Sequence, residues 1–159
     1  MGQCGQWWIP HVAHTYGYVM GLYQRNKAAQ DVAVEYLVQG AVDWGKLLGL
    51  PQAGDLMKVH VLGAKGVADG AFGGDSGLVD RSVNSLLSNL EDQTNLYTAQ
   101  IPNFKANEFH DLFAMHITAT GAYITALAQH DHPEFGRQFS IVQENRDQMM
   151  GFWNVTCRP

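Results

Sequence analysis

A pair of related segments decides the fold: LMKVHVLGAKGVADGAFGGD at Leu56–Asp75 and LFAMHITATGAYITALAQHD at Leu112–Asp131. The two segments align without gaps on His60 and His116. In both of them apolar residues recur at spacings of three and four residues and no strand-like alternation is seen, which predicts an amphipathic helix. The segment that follows His11 repeats the same pattern and predicts a third such helix.

Turn-forming residues divide the rest of the chain at regular intervals. Six helices are predicted between these breaks, at about residues 6–25, 30–48, 54–72, 77–100, 106–129 and 133–154. Taken in consecutive pairs, they give three hairpin repeats at about 6–48, 54–100 and 106–154. One hairpin is too narrow to bury its own apolar stripe. We therefore predict an all-α single domain over residues 1–159, a closed six-helix bundle of three tandem hairpins.

The first, third and fifth helices are expected at the centre of this bundle, because they carry the repeated apolar seam. Small residues recur along them, and at one repeated position they are Gly21, Gly70 and Ala126. Side chains of this size allow close approach of neighbouring backbones. The other three helices are expected to flank the centre.

Composition excludes some classes of partner. Charged residues make up only 16% of the 159 residues and the net charge is -5, whereas Gln and Asn together supply 20 residues. The ten Lys and Arg form no basic cluster, which argues against nucleic-acid binding. No apolar run reaches the roughly 18 residues of a membrane span, and the first residues lack the pattern of a secretory signal. These observations favour a soluble protein of the cytoplasm.

The three repeated histidines, His11, His60 and His116, are the candidate functional residues. They lie beside the apolar seam and are expected to be buried, where desolvation favours the neutral imidazole. If they converge, they offer three nitrogen ligands and an open fourth position to a divalent transition metal, zinc or iron. The alternative is a packing role, in which each imidazole makes a hydrogen bond within its own hairpin.

Further residues are candidates for the same site. His14 lies one helical turn beyond His11 and is a candidate fourth nitrogen ligand. On the second, fourth and sixth helices, three aspartates are candidates for oxygen ligands or for acceptors that orient the imidazoles, namely Asp43, Asp92 and Asp147. Tyr18 and Tyr123 are expected to face the same cavity and to contact a bound cofactor.

The two quoted segments resemble a group of small bacterial helical proteins of uncharacterised activity. Helices in that group carry an L-x-x-x-H-[VIL]-x-x-[TA] pattern followed by N-x-x-D. The resemblance covers most of the chain and implies a helical fold, but it transfers no activity. The chain also resembles the metal-binding DinB-like bundles, whose three-histidine site lies between helices. Connectivity and ligand spacing differ there, so that resemblance implies only an inter-helix histidine site.

Two functions of different classes follow. One is a helical bundle with an interior histidine-lined site for a transition metal or small ligand, used by a metal-dependent hydrolase or transferase with a metal-activated water. The other is a structural or assembly subunit without catalytic activity, which associates with copies of itself or with a larger complex. The low charge fits the second, since charged residues are depleted at interface cores.

Two cysteines, Cys4 and Cys157, lie at opposite ends of the chain. Their spacing predicts neither a zinc knuckle nor a redox pair. A disulfide between them would close nearly the whole chain. In the favoured compartment, however, two separate reduced thiols are expected.

Overall fold

Six α-helices fill most of residues 4–157, the range that the computed structural model describes. They are α1 (Trp8–Tyr23), α2 (Lys27–Leu48), α3 (Pro51–Gly73), α4 (Ser76–Gln100), α5 (Ala106–Ala128) and α6 (His132–Thr156), and a short 3-10 helix, Gly5–Trp7, precedes α1. No strand occurs in this range. The predicted all-α six-helix bundle is therefore confirmed. The largest differences in helix boundaries are three residues, at the starts of α2 and α3.

The same kind of turn connects α1 with α2, α3 with α4 and α5 with α6. Its last residue caps the second helix, and the side chain accepts a hydrogen bond from a backbone N–H in the first turn. These caps are Asn26 with Ala29 at 3.1 Å, Asp75 with Leu78 at 2.9 Å and Asp131 with Glu134 at 3.0 Å. The backbone N–H of each cap also donates to a carbonyl five residues earlier, at 2.8 to 2.9 Å. This common turn is consistent with three tandem hairpins.

The helices pack as a closed bundle. Each helix contacts the next along the chain, and α6 returns to pack against α1 and the 3-10 helix. Helices α1, α3 and α5 also contact one another, so they form the centre, as expected from their apolar seam. Most of the seam is buried; at the position three residues before each repeated histidine, Trp8, Met57 and Phe113 are at most 1% exposed.

Glycines allow the two helices of a hairpin to approach closely near the turn. A Cβ atom added at Gly70 would lie 2.9 Å from the carbonyl oxygen of Asp75 and 2.9 Å from the backbone N of Val79. At the equivalent Gly21, an added Cβ would lie 3.1 Å from the backbone N of Gln30. The small residues expected at a close crossing therefore lie against the partner helix of the same hairpin.

The two cysteines form a disulfide, which corrects the expectation of two reduced thiols. The Cα atoms of Cys4 and Cys157 are 6.3 Å apart. The closed bundle brings the 3-10 helix onto the end of α6, where the backbone N–H of Gly5 also donates to Asn154 at 3.1 Å. Disulfides persist in oxidising compartments. The cytoplasmic location stays a prediction, and the disulfide does not support it.

Between residues 4 and 157, no helix combines the length and the apolar character needed to cross a lipid bilayer. The outer faces of the helices carry ion pairs, for example Lys105 with Glu108 at 3.3 Å. For this part of the chain, the finding agrees with the prediction of no membrane span.

Removing the disulfide should lower the stability of the bundle. The bond joins residues 153 positions apart, so it strongly restricts the unfolded chain. We expect Cys4→Ser with Cys157→Ser to reduce the free energy of unfolding by about 2–5 kcal/mol, measured by urea denaturation. The same loss should follow when the wild type is denatured with a reductant present. An unchanged midpoint in both experiments would show that the bond does not form in solution.

The close approach at the hairpin turn predicts opposite effects of one substitution at two glycines. Gly70→Ala should destabilise the protein by about 1–3 kcal/mol, because backbone atoms oppose the new methyl group. Gly121→Ala, on α5, should stabilise by roughly 0.5–1 kcal/mol, because nothing lies within 4 Å of the added Cβ and alanine favours a helix. Thermal denaturation measures both effects. Equal effects at the two positions would contradict the packing at Gly70.

Candidate metal centre

The three repeated histidines converge in the centre of the bundle. Each comes from a different central helix: His11 from α1, His60 from α3 and His116 from α5. The ring centroids are 5.4 Å apart for His11–His60, 5.6 Å for His11–His116 and 5.5 Å for His60–His116. One nitrogen of each ring lies within 4.8 Å of one nitrogen of each of the others. The cluster is nearly threefold symmetric and contains three groups that can hold a metal ion.

Aromatic side chains pack around the cluster. Trp7 stacks on His11 with ring centroids 4.7 Å apart. Trp8 meets both His11 and His116 edge-on at 5.3 Å. Phe113 lies 4.8 Å from the ring of His60. As a result, none of the three imidazoles is more than 5% exposed.

Burial keeps all three imidazoles neutral at pH 7. It lowers the pKa of His116 to about 4, although the neighbouring Asn145 side chain acts in the opposite direction. Burial also lowers the pKa values of His11 and His60 well below the usual 6.5, and repulsion from the other imidazoles adds to the shift. Neutral imidazole is the form that binds a metal.

The imidazoles make few hydrogen bonds, which argues against a purely structural role. The Nδ1 atoms of His11, His60 and His116 are buried and find no hydrogen-bond partner in residues 4–157. The same is true of Nε2 of His11. A buried polar atom without a partner costs about 1–3 kcal/mol. The packing role considered for these residues requires hydrogen bonds within each hairpin; these nitrogens make none, although the side chain of Asn145 lies beside His116 and acts on its pKa as a hydrogen-bond acceptor does.

Two asparagines next to the cluster were not predicted as site residues. Asn89 on α4 donates to the carbonyl of Leu56 at 2.9 Å, and Asn145 on α6 donates to that of Leu112, also at 2.9 Å. Both bonds span 33 residues and end four positions before a repeated histidine. Extending the alignment of the two quoted segments by this distance would have found the pair.

The two asparagines differ at their acceptor atoms. The Oδ1 atom of Asn89 accepts a hydrogen bond from Gln93 at 2.8 Å, and Gln93 in turn accepts one from Tyr97 at 2.9 Å. At the position equivalent to Gln93, α6 carries Met149, which cannot donate. The Oδ1 atom of Asn145 is buried and has no partner in the described chain. Asn145 is therefore the asparagine whose acceptor lies beside His116, where it acts to raise the pKa of that imidazole.

Cavities reach the cluster from two sides. One, of 240 Å³, lies between α1 and α2 and is lined by His11 together with His14 and Asp43. The other, of 360 Å³, lies among α3, α4 and α5 and is lined by His60. The structure thus gathers the predicted residues His14 and Asp43 at an approach to His11. Neither residue belongs to the group of mutually close ligands, which consists of His11, His60 and His116 in the described chain. The ring of His14 instead stacks on Tyr36 with centroids 4.5 Å apart.

The other predicted site residues lie away from the three imidazoles or are occupied elsewhere. Asp92 and Asp147 are exposed, and Asp147 pairs with Arg146 at 2.7 Å. Tyr18 is buried but donates to Asp69 on α3, and burial with this hydrogen bond raises its pKa to about 12. Tyr123 packs against Phe135 and Phe139 of α6. The buried polar side chains that the flanking helices α4 and α6 turn towards the core are the amides Asn89, Gln93 and Asn145 and the hydroxyl of Ser82, and none of the residues found there is a carboxylate.

Comparison with protein families, with curated proteins and with solved structures finds no match to this chain.

Stability should fall as the pH is lowered from about 6.5 to 4. In this range the unfolded chain binds protons on three histidines with ordinary pKa values near 6.5, whereas the folded protein keeps them neutral. The stabilisation present above pH 6.5 is therefore lost at up to about 1.4 kcal/mol per pH unit for each histidine. Urea denaturation at several pH values measures the slope.

Replacing one buried imidazole separates its contribution from those of other groups. His116→Gln should reduce the slope between pH 6.5 and 4 by about one proton. His132→Gln removes an exposed imidazole in the same way and serves as the control. A slope that His116→Gln leaves unchanged would contradict a neutral, buried His116.

Proposed function

We propose that His11, His60 and His116 bind one divalent transition metal ion and that the protein is a metal-dependent hydrolase or transferase. The observation that carries this proposal is the convergence of three neutral imidazoles, with ligand nitrogens within 4.8 Å of one another. The unpartnered Nδ1 atoms support it, because a metal ion would use donor atoms that the protein leaves without hydrogen bonds. The resemblance to inter-helix histidine sites in DinB-like bundles agrees with it.

The donor set favours zinc over iron. Three nitrogens around tetrahedral zinc, with Zn–N bonds of about 2.1 Å, lie about 3.4 Å apart. A move of less than about 1 Å by each imidazole would bring the present nitrogens to that spacing. Non-haem iron sites typically combine two histidines with one carboxylate. No carboxylate belongs to the close group found in the described residues.

Three protein ligands leave one position for water or substrate, as in catalytic zinc sites. A metal bound there would act as a Lewis acid and lower the pKa of a water in the open position. The protein supplies a dry surrounding through Trp7, Trp8 and Phe113. The two cavities that reach His11 and His60 offer routes for a substrate. This combination supports hydrolysis or group transfer in place of a purely structural metal.

Metal binding by histidine variants tests the proposal. Elemental analysis of protein purified without an affinity tag should find about one zinc or iron per chain. Zinc titration of the metal-free protein, followed by calorimetry, should give a stoichiometry near one. Each of His11→Gln, His60→Gln and His116→Gln should weaken zinc binding by at least about hundredfold, since even residues behind the ligands contribute about 10–100-fold.

His14→Gln is the matched control. It removes an imidazole one turn from His11 that lies outside the close cluster, so zinc affinity should change by less than about threefold. Circular dichroism establishes that every variant stays helical. Equal losses in His14→Gln and His60→Gln, or no zinc binding by the wild type, would contradict the proposal. The latter result would favour the assembly subunit, which predicts concentration-dependent association in light scattering.

A further inference from the structure

The cavity beside His60 has the features of a site for an aliphatic molecule. Branched aliphatic side chains dominate its wall: Val67, Val79, Val83, Leu86, Leu87, Ile117 and Ile124. His60 and several small or hydroxyl-bearing residues complete the lining, and in the described chain no Phe, Tyr or Trp ring and no charged side chain belongs to it. Its volume of 360 Å³ is near the lower end of the roughly 300–1,000 Å³ typical of small-molecule sites. These walls fit a flexible hydrocarbon chain better than a flat ring.

Two buried polar side chains give this cavity a polar end. His60 is 2% exposed and its Nδ1 has no partner in residues 4–157. Thr120 is 5% exposed and its Oγ1 is likewise unpartnered within that range. Both residues line the cavity. In the metal-free protein, a ligand with an oxygen head group would satisfy these polar atoms after a rotation of the two side chains, since both atoms are now buried in the cavity wall.

The cavity opens to solvent beside Leu87. Leu87 lines the cavity and is 48% exposed, an unusual position for a large aliphatic side chain. No basic side chain lies in the lining described above, so a charged head group would be buried without compensation in the metal-free protein. An uncharged head group would avoid this cost.

We propose that this cavity binds a medium-length hydrocarbon chain with an uncharged oxygen head group, as in an aliphatic alcohol or ester, with the head at His60 and Thr120. Its role as the substrate pocket rests on the proposed metal site, because His60 belongs to both. The binding of the hydrocarbon chain itself does not rest on the metal site. A bound metal would add positive charge at the head-group end and would allow a carboxylate head to bind as well.

A cavity-filling variant tests the binding of the chain. Gly121 lines the cavity, and an added Cβ would meet nothing within 4 Å, so Gly121→Leu should fill the space without disturbing the fold. Ala64→Leu fills the same cavity from α3. Gly136→Leu is the matched control, since Gly136 lies on α6 outside the cavity and is equally open. The probe is octan-1-ol, measured by calorimetry on metal-free protein.

We expect the wild type and Gly136→Leu to bind octan-1-ol equally, and Gly121→Leu and Ala64→Leu to bind it at least tenfold more weakly. Absence of binding by the wild type, or equal binding by both cavity-filling variants, would overturn the proposal. Thermal denaturation verifies that each variant is folded. These measurements need no metal, so their outcome does not depend on the proposed function.

Octanoate tests the orientation of the head group. When elemental analysis finds zinc bound, octanoate should bind at least tenfold more tightly to the zinc-loaded protein than to the metal-free protein, whereas the affinity for octan-1-ol should change less. Equal octanoate affinity with zinc bound would overturn the placement of the head at His60. If no zinc binds, the proposed function fails, and the octan-1-ol measurement alone decides whether the cavity binds a chain.

Discussion

Three imidazoles held about 5.5 Å apart in a dry interior can be tolerated only when none is charged. Protonation of any one imidazole would bury a positive charge. The two neighbouring imidazoles would add repulsion to the cost of this burial. This constraint explains the surrounding aromatic cage and the lowered pKa values. It also explains why the site is suited to a metal ion, because unprotonated imidazoles keep the lone pairs that a metal ion needs.

The three hairpins contribute equivalent histidines but different neighbours. In the second hairpin, Asn89 is fully occupied by Leu56 and Gln93. In the third, the acceptor of Asn145 makes no hydrogen bond to a neighbouring amide and instead acts on the pKa of His116. In the first, Gly40 takes the corresponding position, and the indole of Trp7 donates to its carbonyl at 2.8 Å. The near symmetry that gathers the histidines is therefore broken around them, which gives each side of the cluster its own access and polarity.

The disulfide lies next to the segment that packs on the histidine cluster. Cys4 precedes the 3-10 helix that leads into Trp7 and Trp8, and Cys157 follows α6. Since both tryptophans contact His11, the bond anchors the segment that covers the cluster on the α1 side. Stability at the chain ends and the environment of the site thus depend on one covalent link.

The helices, their hairpin turns and the burial of His11, His60 and His116 could be predicted from the sequence, because they follow from local periodicity and from side chains such as Asn26 and Asp75 that act within a few residues. The contacts between side chains on different helices, in contrast, depend on the tertiary structure. Asp92 and Asp147, two of the aspartates predicted as ligands, share helices with buried Asn89 and Asn145 but are exposed, and a shift of two or three residues along a helix is enough to exchange the two faces. The pairing of Cys4 with Cys157 and the cavity at His60 likewise depend on how distant helices close on one another, a property that no short stretch of sequence contains.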